Sequence, residues 1–266
     1  MKPEQNSISQ ISDYQQLKKT RLRAKSDNFL LDITSKQLLN RIDILKIKPV
    51  NIAILDDYSS VLADNSPSNW HIDHIAVDLA SEKILTNKHN YYELIFCNAT
   101  AHYYNDLVGV LIQINNLLRP DGLLLLGMPL FGSYQELAHV LQKVENDAYN
   151  HFTTRMLPLI KPSTIGNLLA RAQMKLPVIE NDIIKIKYDS ISAITNDMRQ
   201  AGWGRMFKYS DNKNNVINKK FYHNMNDLYL KKFDNITTIN YGYVACRKHS
   251  SAQQQPISPA SIKTIV

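Results

Sequence analysis

Glycine is scarce in this chain and arrives late: there are 8 in 266 residues, and the first is Gly109. Any left-handed bend before that point must be made by a residue with a Cβ, at a steric cost that glycine does not carry. Cysteine is almost absent. Cys97 and Cys246 stand alone, with no Cys-x-x-Cys pair. That excludes a disulfide framework, argues against a zinc site, and fits a reducing, cytoplasmic compartment. No apolar run approaches the roughly 18 residues of a membrane span. The polar amino terminus lacks the apolar stretch of a secretory leader, so none is expected. His71, Asp73 and His74 are close in sequence, but the two histidines fall on opposite faces of a strand. No metal is expected there.

What is present is an ordinary globular balance of 44% hydrophobic and 21% charged residues. That length and balance can bury one large core. The net charge of +7 is unevenly placed. Residues 1–50 carry 10 Lys/Arg against 5 Asp/Glu, and residues 201–266 carry 10 against 3. Either these ends meet an acidic protein partner, a carrier protein or a membrane surface, or they are solvated faces. No basic cluster interleaves with aromatics, so nucleic acid is not an expected partner.

The periodicity predicts alternating strands and helices. Apolar residues from Tyr14 to about Lys46 keep helical spacing, and Pro49 ends that segment. Strands are expected over 51–57, 72–79, 92–98 and 123–128, the last a continuous apolar run buried on both faces. Helices are expected over 107–118, 134–150, 191–201 and 219–232, and over 165–172 behind a Ser163 or Thr164 cap. Arg119-Pro-Asp-Gly122 reads as a turn with Gly122 at positive φ. Strands over 177–188 and 236–246 complete the pattern, the last one antiparallel. This order predicts an α/β fold with a mainly parallel sheet and helices on both faces.

Several segments then follow one another in a specific order. Ala101-His-Tyr-Tyr-Asn-Asp-Leu107 precedes Gln113-Ile, Leu118-Arg-Pro-Asp-Gly-Leu123 and Gly132-Ser-Tyr-Gln-Glu-Leu137. Lys161-Pro-Ser-Thr, Leu168-Leu-Ala-Arg-Ala172, Asp197-Met-Arg-Gln-Ala-Gly202 and Tyr241-Gly-Tyr-Val come later. Together they resemble a class I (Rossmann-like) methyltransferase. More narrowly, they are similar to two related groups. One is the malonyl-acyl-carrier-protein methyltransferases of biotin synthesis. The other is the mitochondrial complex I assembly factor that hydroxylates an arginine, with its bacterial relatives. The resemblance covers residues 25–248. It implies one domain over 14–248, with 150–235 as a cap or substrate subdomain and disordered ends at 1–13 and 249–266.

The resemblance also implies S-adenosylmethionine as cofactor. Asp56, Asp57, Asp78 and Asn98 are then the candidate cofactor ligands, and His102 and Tyr103 the candidate catalytic residues. Arg155 and the tyrosines at 188, 241 and 243 are candidates for shaping a substrate pocket. The chain departs from the family at two places. Relatives show Asp-x-Gly-x-Gly-x-Gly after the first strand, where this chain has Leu55-Asp-Asp-Tyr-Ser-Ser-Val-Leu62. Only 14 steps separate Asp78 from Tyr92, too few for the usual helix, strand and loop. Asp78 therefore matches either the acid that binds the ribose hydroxyls or the later acid near the adenine. Two functions follow. One is methyl transfer to a small-molecule or carrier-protein-bound acceptor. The other is a non-catalytic binding role, as in complex assembly. Arginine hydroxylation is a weaker third, since no facial metal triad is apparent.

Overall fold

The computed structural model describes residues 14–22, 24, 28–56, 60–150, 156, 158–203 and 218–249. The two expected disordered ends lie almost wholly outside these residues.

A six-stranded sheet organises the chain, in the order β2-β1-β5-β6-β8-β7. Its strands are β1 (Asn51–Leu55), β2 (His71–Ile75), β5 (Tyr92–Asn98), β6 (Leu118–Pro129), β7 (Met174–Lys187) and β8 (Ile236–Lys248). The pairs β1–β2, β1–β5 and β5–β6 are parallel, whereas β8 runs antiparallel between β6 and β7. The apolar run in β6 is continuous because both its faces are covered. Leu123 and Leu125 enter one core cluster, and Leu124, Leu126 and Met128 enter the other. Each such side chain contributes about 1.5–3 kcal/mol by leaving water.

Helices flank the sheet: α2 (Phe29–Leu45), α3 (Val61–Asp64), α4 (Leu107–Leu117), α5 (Gln135–Tyr149), α6 (Pro162–Arg171), α7 (Ile191–Gln200) and α8 (Lys219–Phe233). One further helix, α1 (Tyr14–Arg21), precedes them. The helical spacing over 14–46 thus belongs to two helices. The break has a local cause. Asn28 takes extended backbone, and its side chain accepts from the Leu30 and Leu31 amides, which caps α2. That helix ends at Lys46 in left-handed backbone, before Pro49 is reached.

Four other expectations are corrected. The second strand stops at Ile75, where the Asp56 amide takes the Ile75 carbonyl at 3.0 Å. Asp78 instead lies in β3 (Val77–Asp78), a short antiparallel hairpin with β4 (Lys83–Ile84). This hairpin fills the 14-step interval in place of a helix and a strand. Pro162, not Ser163 or Thr164, opens α6, behind Lys161, which makes no side-chain cap. In the Arg-Pro-Asp-Gly segment it is Asp121 that takes positive φ (62°). Gly122 is needed for close approach instead: a Cβ there would lie 2.9 Å from the Tyr92 carbonyl oxygen.

Candidate functional site

In open α/β sheets, ligands bind outside the carboxyl ends of the strands. Here that edge is built by the residues after β1 and after β5. Asp56 follows β1 directly and adopts left-handed backbone at φ 48°. Ser60, at the far side of the same connection, is also left-handed at φ 55°. The glycine-free loop therefore makes left-handed bends at both of its described ends, using Asp and Ser. Asp is one of the few non-glycine types that enter this region readily. Asp57 lies outside the described residues.

The Asp56 carboxylate is buried, with its side chain only 3% exposed. One oxygen accepts from the Val77 amide at 2.9 Å. The other accepts from the Tyr104 hydroxyl at 2.8 Å and pairs with the Arg21 guanidinium of α1 at 3.2 Å. Arg21 also lies 5.5 Å above the centre of the Tyr103 ring. Burial and the adjacent Asp56 charge push the Tyr104 hydroxyl well above its ordinary range, so it stays protonated and donates.

The residues after β5 form a short 3-10 turn, Ala101–Tyr103. His102 packs against Tyr103 at 3.9 Å and against Trp203 at 5.6 Å between ring centres. Both its ring nitrogens are buried without a hydrogen-bond partner. Burial, then the positive charge of Arg21, pull its pKa down to about 3, so the imidazole is neutral. Tyr103 is buried and donates to the Gly202 carbonyl at 2.8 Å. Beside this turn opens a cavity of about 320 Å³, lined by His102, Asn105, Asp106, Leu159 and Arg171 among others.

The other candidates are placed apart. Asn98 ends β5 but faces α2. Its amide donates to the Thr34 and Ser35 hydroxyls at 3.1 and 3.0 Å, and its carbonyl accepts from Tyr241 at 2.7 Å. Asp78 is on the hairpin and closes its own turn, accepting from Ser81 and the Ala80 amide. Those bonds, Ser81 first, hold its carboxyl below the usual range. Tyr188 donates to the buried Asp197 at 2.5 Å, and Tyr243 lies under the Arg41 guanidinium at 4.0 Å. Arg155 lies outside the described residues.

Sequence reasoning singled out Asp56 and His102 but not the groups that act on them. Arg21 carried a usable signal: Tyr14, Leu17 and Arg21 share one helical face, a charged residue on an otherwise apolar stripe. Arg171 and Trp203 carried none, since only the folding of α6 and of the segment after α7 brings them to the β5 end.

No known family model matches the chain. Curated relatives do. The mitochondrial arginine-hydroxylase NDUFAF5 of Dictyostelium discoideum is 30% identical over 158 residues, 59% of this chain and 34% of that protein. The malonyl-[acyl-carrier protein] O-methyltransferase of Xylella fastidiosa is 29% identical over 110 residues, 41% of this chain and 35% of its own length. The matches thus span about a third of each relative. Among solved structures, phosphoethanolamine N-methyltransferase 2 of Haemonchus contortus, crystallised with S-adenosylhomocysteine, matches at a TM-score of 0.44 and 11% identity. That match covers 81% of this chain and 53% of the other. With a mainly parallel sheet and a single inserted antiparallel strand, this chain is similar over part of its length to the arginine-hydroxylase NDUFAF5 and malonyl-[acyl-carrier protein] O-methyltransferase proteins.

Proposed function

We propose that the protein binds S-adenosylmethionine at the carboxyl edge of β1 and β5 and transfers its methyl group to a carboxylate presented by an acidic carrier or partner protein. The observation that carries this reading is the cavity at the end of β5, whose lining includes both a neutral His102 imidazole without a hydrogen-bond partner and the Arg171 cation. Buried polar atoms without partners are uncommon unless a ligand or water completes them. The donor set suits the cofactor. Asp56 offers a carboxylate to a hydroxyl group that displaces one of its three present partners, and the left-handed bends at Asp56 and Ser60 keep the turned backbone the family makes with glycine. When bound, the cofactor supplies an electrophilic methyl group.

The chain's own residues have two tasks. Arg171 is the cation that holds an acceptor carboxylate in the cavity. His102 forms part of the cavity wall and, being neutral, does not compete for the carboxylate as a second cation. A carboxylate is already a nucleophile, so alignment rather than proton removal carries the rate. The basic ends of the chain suit docking of an acidic carrier in a cytoplasmic or other reducing compartment. The relative named for a malonyl-[acyl-carrier protein] substrate is consistent with that class of acceptor.

A second reading is a binding role without catalysis, as in complex assembly. It is favoured by one observation: Arg21 already neutralises Asp56 in the folded chain. Calorimetric titration of the full chain with S-adenosylmethionine and S-adenosylhomocysteine separates the two. Saturable binding that weakens in Asp56→Ala supports methyl transfer. No heat and no thermal shift at millimolar ligand rejects it in favour of the binding role.

A further inference from the structure

The helix α1 closes over the same strand edge. Of its described side chains only Leu17 and Arg21 are buried, while Gln15, Lys18 and Lys19 face outward. Leu22, just beyond it, is 81% exposed. An eight-residue helix has little stability of its own, so its docking holds it in place: Leu17 is fully buried in the core cluster, and two polar anchors join it. One anchor is the Arg21–Asp56 pair at 3.2 Å. The other is Tyr14, which donates to Glu82 and accepts from Asn105. Glu82 in turn accepts from the Asn105 and Asp106 amides at 2.6 and 2.7 Å, at the entry to α4. Both anchors therefore tie α1 to the elements that frame the ligand edge: Asp56 after β1, and the loop leading from His102 into α4.

From this arrangement we infer that α1 is a latch. Arg21 occupies the Asp56 carboxylate that a nucleoside ligand needs, and the ligand binds as α1 lifts. The inference rests on the cofactor reading proposed above. Its physical basis is competition. Asp56 accepts from Val77, Tyr104 and Arg21 and is buried, so a ribose hydroxyl reaches it only by displacing one of them. Val77 is fixed by the hairpin and Tyr104 by its own burial. Arg21 sits on α1, an eight-residue helix that depends on its docking contacts to stay in place. A purely structural ion pair makes the opposite prediction. Removing one partner of a buried pair would then weaken the fold and the site together.

The test is calorimetric titration of the full chain with S-adenosylhomocysteine, comparing the natural protein with Arg21→Gln, Arg21→Lys and Tyr14→Phe. A latch predicts that Arg21→Gln binds about tenfold tighter or more, although its thermal stability falls. Arg21→Lys, which keeps the charge, stays near the natural value. Tyr14→Phe, which leaves Asp56 and Arg21 intact, shifts affinity in the same direction by less, and it decides the matter if Arg21→Gln does not fold. Equal or weaker binding by Arg21→Gln, or by Tyr14→Phe in its place, while the natural chain binds, overturns the latch and leaves the cofactor reading standing. No binding by any of the four at millimolar ligand overturns the cofactor reading and the latch with it.

Discussion

Asn98 is where the sheet is tied to α2, and replacing it with alanine gives a calculable loss. Its side chain makes three hydrogen bonds, to the Thr34, Ser35 and Tyr241 hydroxyls, and these three residues are completely buried. A net contribution of about 1 kcal/mol per bond gives about 3 kcal/mol for Asn98→Ala. Thr34 keeps a second bond, to the Leu31 carbonyl at 3.2 Å, so its loss is the smallest of the three. For a domain of this size the melting temperature should fall by about 6–12 °C. Urea unfolding followed by circular dichroism should show a lower midpoint with an unchanged slope. A double-mutant cycle with Tyr241→Phe should return a coupling of about 1 kcal/mol between the two residues. A loss below about 1 kcal/mol, with additive effects in the double mutant, would refute the assignment of Asn98 as the tie between β5 and α2.

Two other predictions concern buried titratable groups. His102 should show no imidazolium resonance by NMR between about pH 5 and 8, because burial and Arg21 lower its pKa to about 3. In the unfolded chain the same ring protonates near about pH 6.5, so the unfolded state binds the extra proton. Stability should therefore fall as pH drops below about 6.5, by up to about 1.4 kcal/mol per pH unit from this group. His102→Phe should remove that slope, and an unchanged slope would count against the burial of the ring. The two thiols should be inert in the folded protein, since burial pushes Cys97 and Cys246 each up to about 12. A thiol reagent at neutral pH should label neither until denaturant is added, and rapid native labelling of Cys97 would contradict its place inside β5.

The parts of the fold legible in the sequence are those whose pattern is set by burial alone. The apolar runs of β5 and β6 stand out because both of their faces are covered. The hairpin at Val77–Ile84 was not legible. The apolar alternation runs on from Ile75 into Val77, whereas the pairing with β1 stops at Leu55 and Ile75, where Asp56 turns into left-handed backbone. The break between α1 and α2 was hidden for a similar reason, because apolar residues keep helical spacing on both sides of it. Asn28 was the one local sign. At the site, the strand-end acid could be read from sequence, but its counter-ion could not. Arg21 precedes Asp56 by 35 residues, and only the docking of α1 brings them together. The burial of His102 likewise depends on Trp203, whose indole donates to the Ala99 carbonyl at 3.3 Å from far along the chain.

The most direct measurement is amide hydrogen exchange of the full chain, with and without saturating S-adenosylhomocysteine. The account predicts slower exchange over residues 51–56 and 97–104, the two strand ends that frame the site, and faster exchange over 14–21 as α1 lifts. Unchanged exchange in all three segments would contradict it.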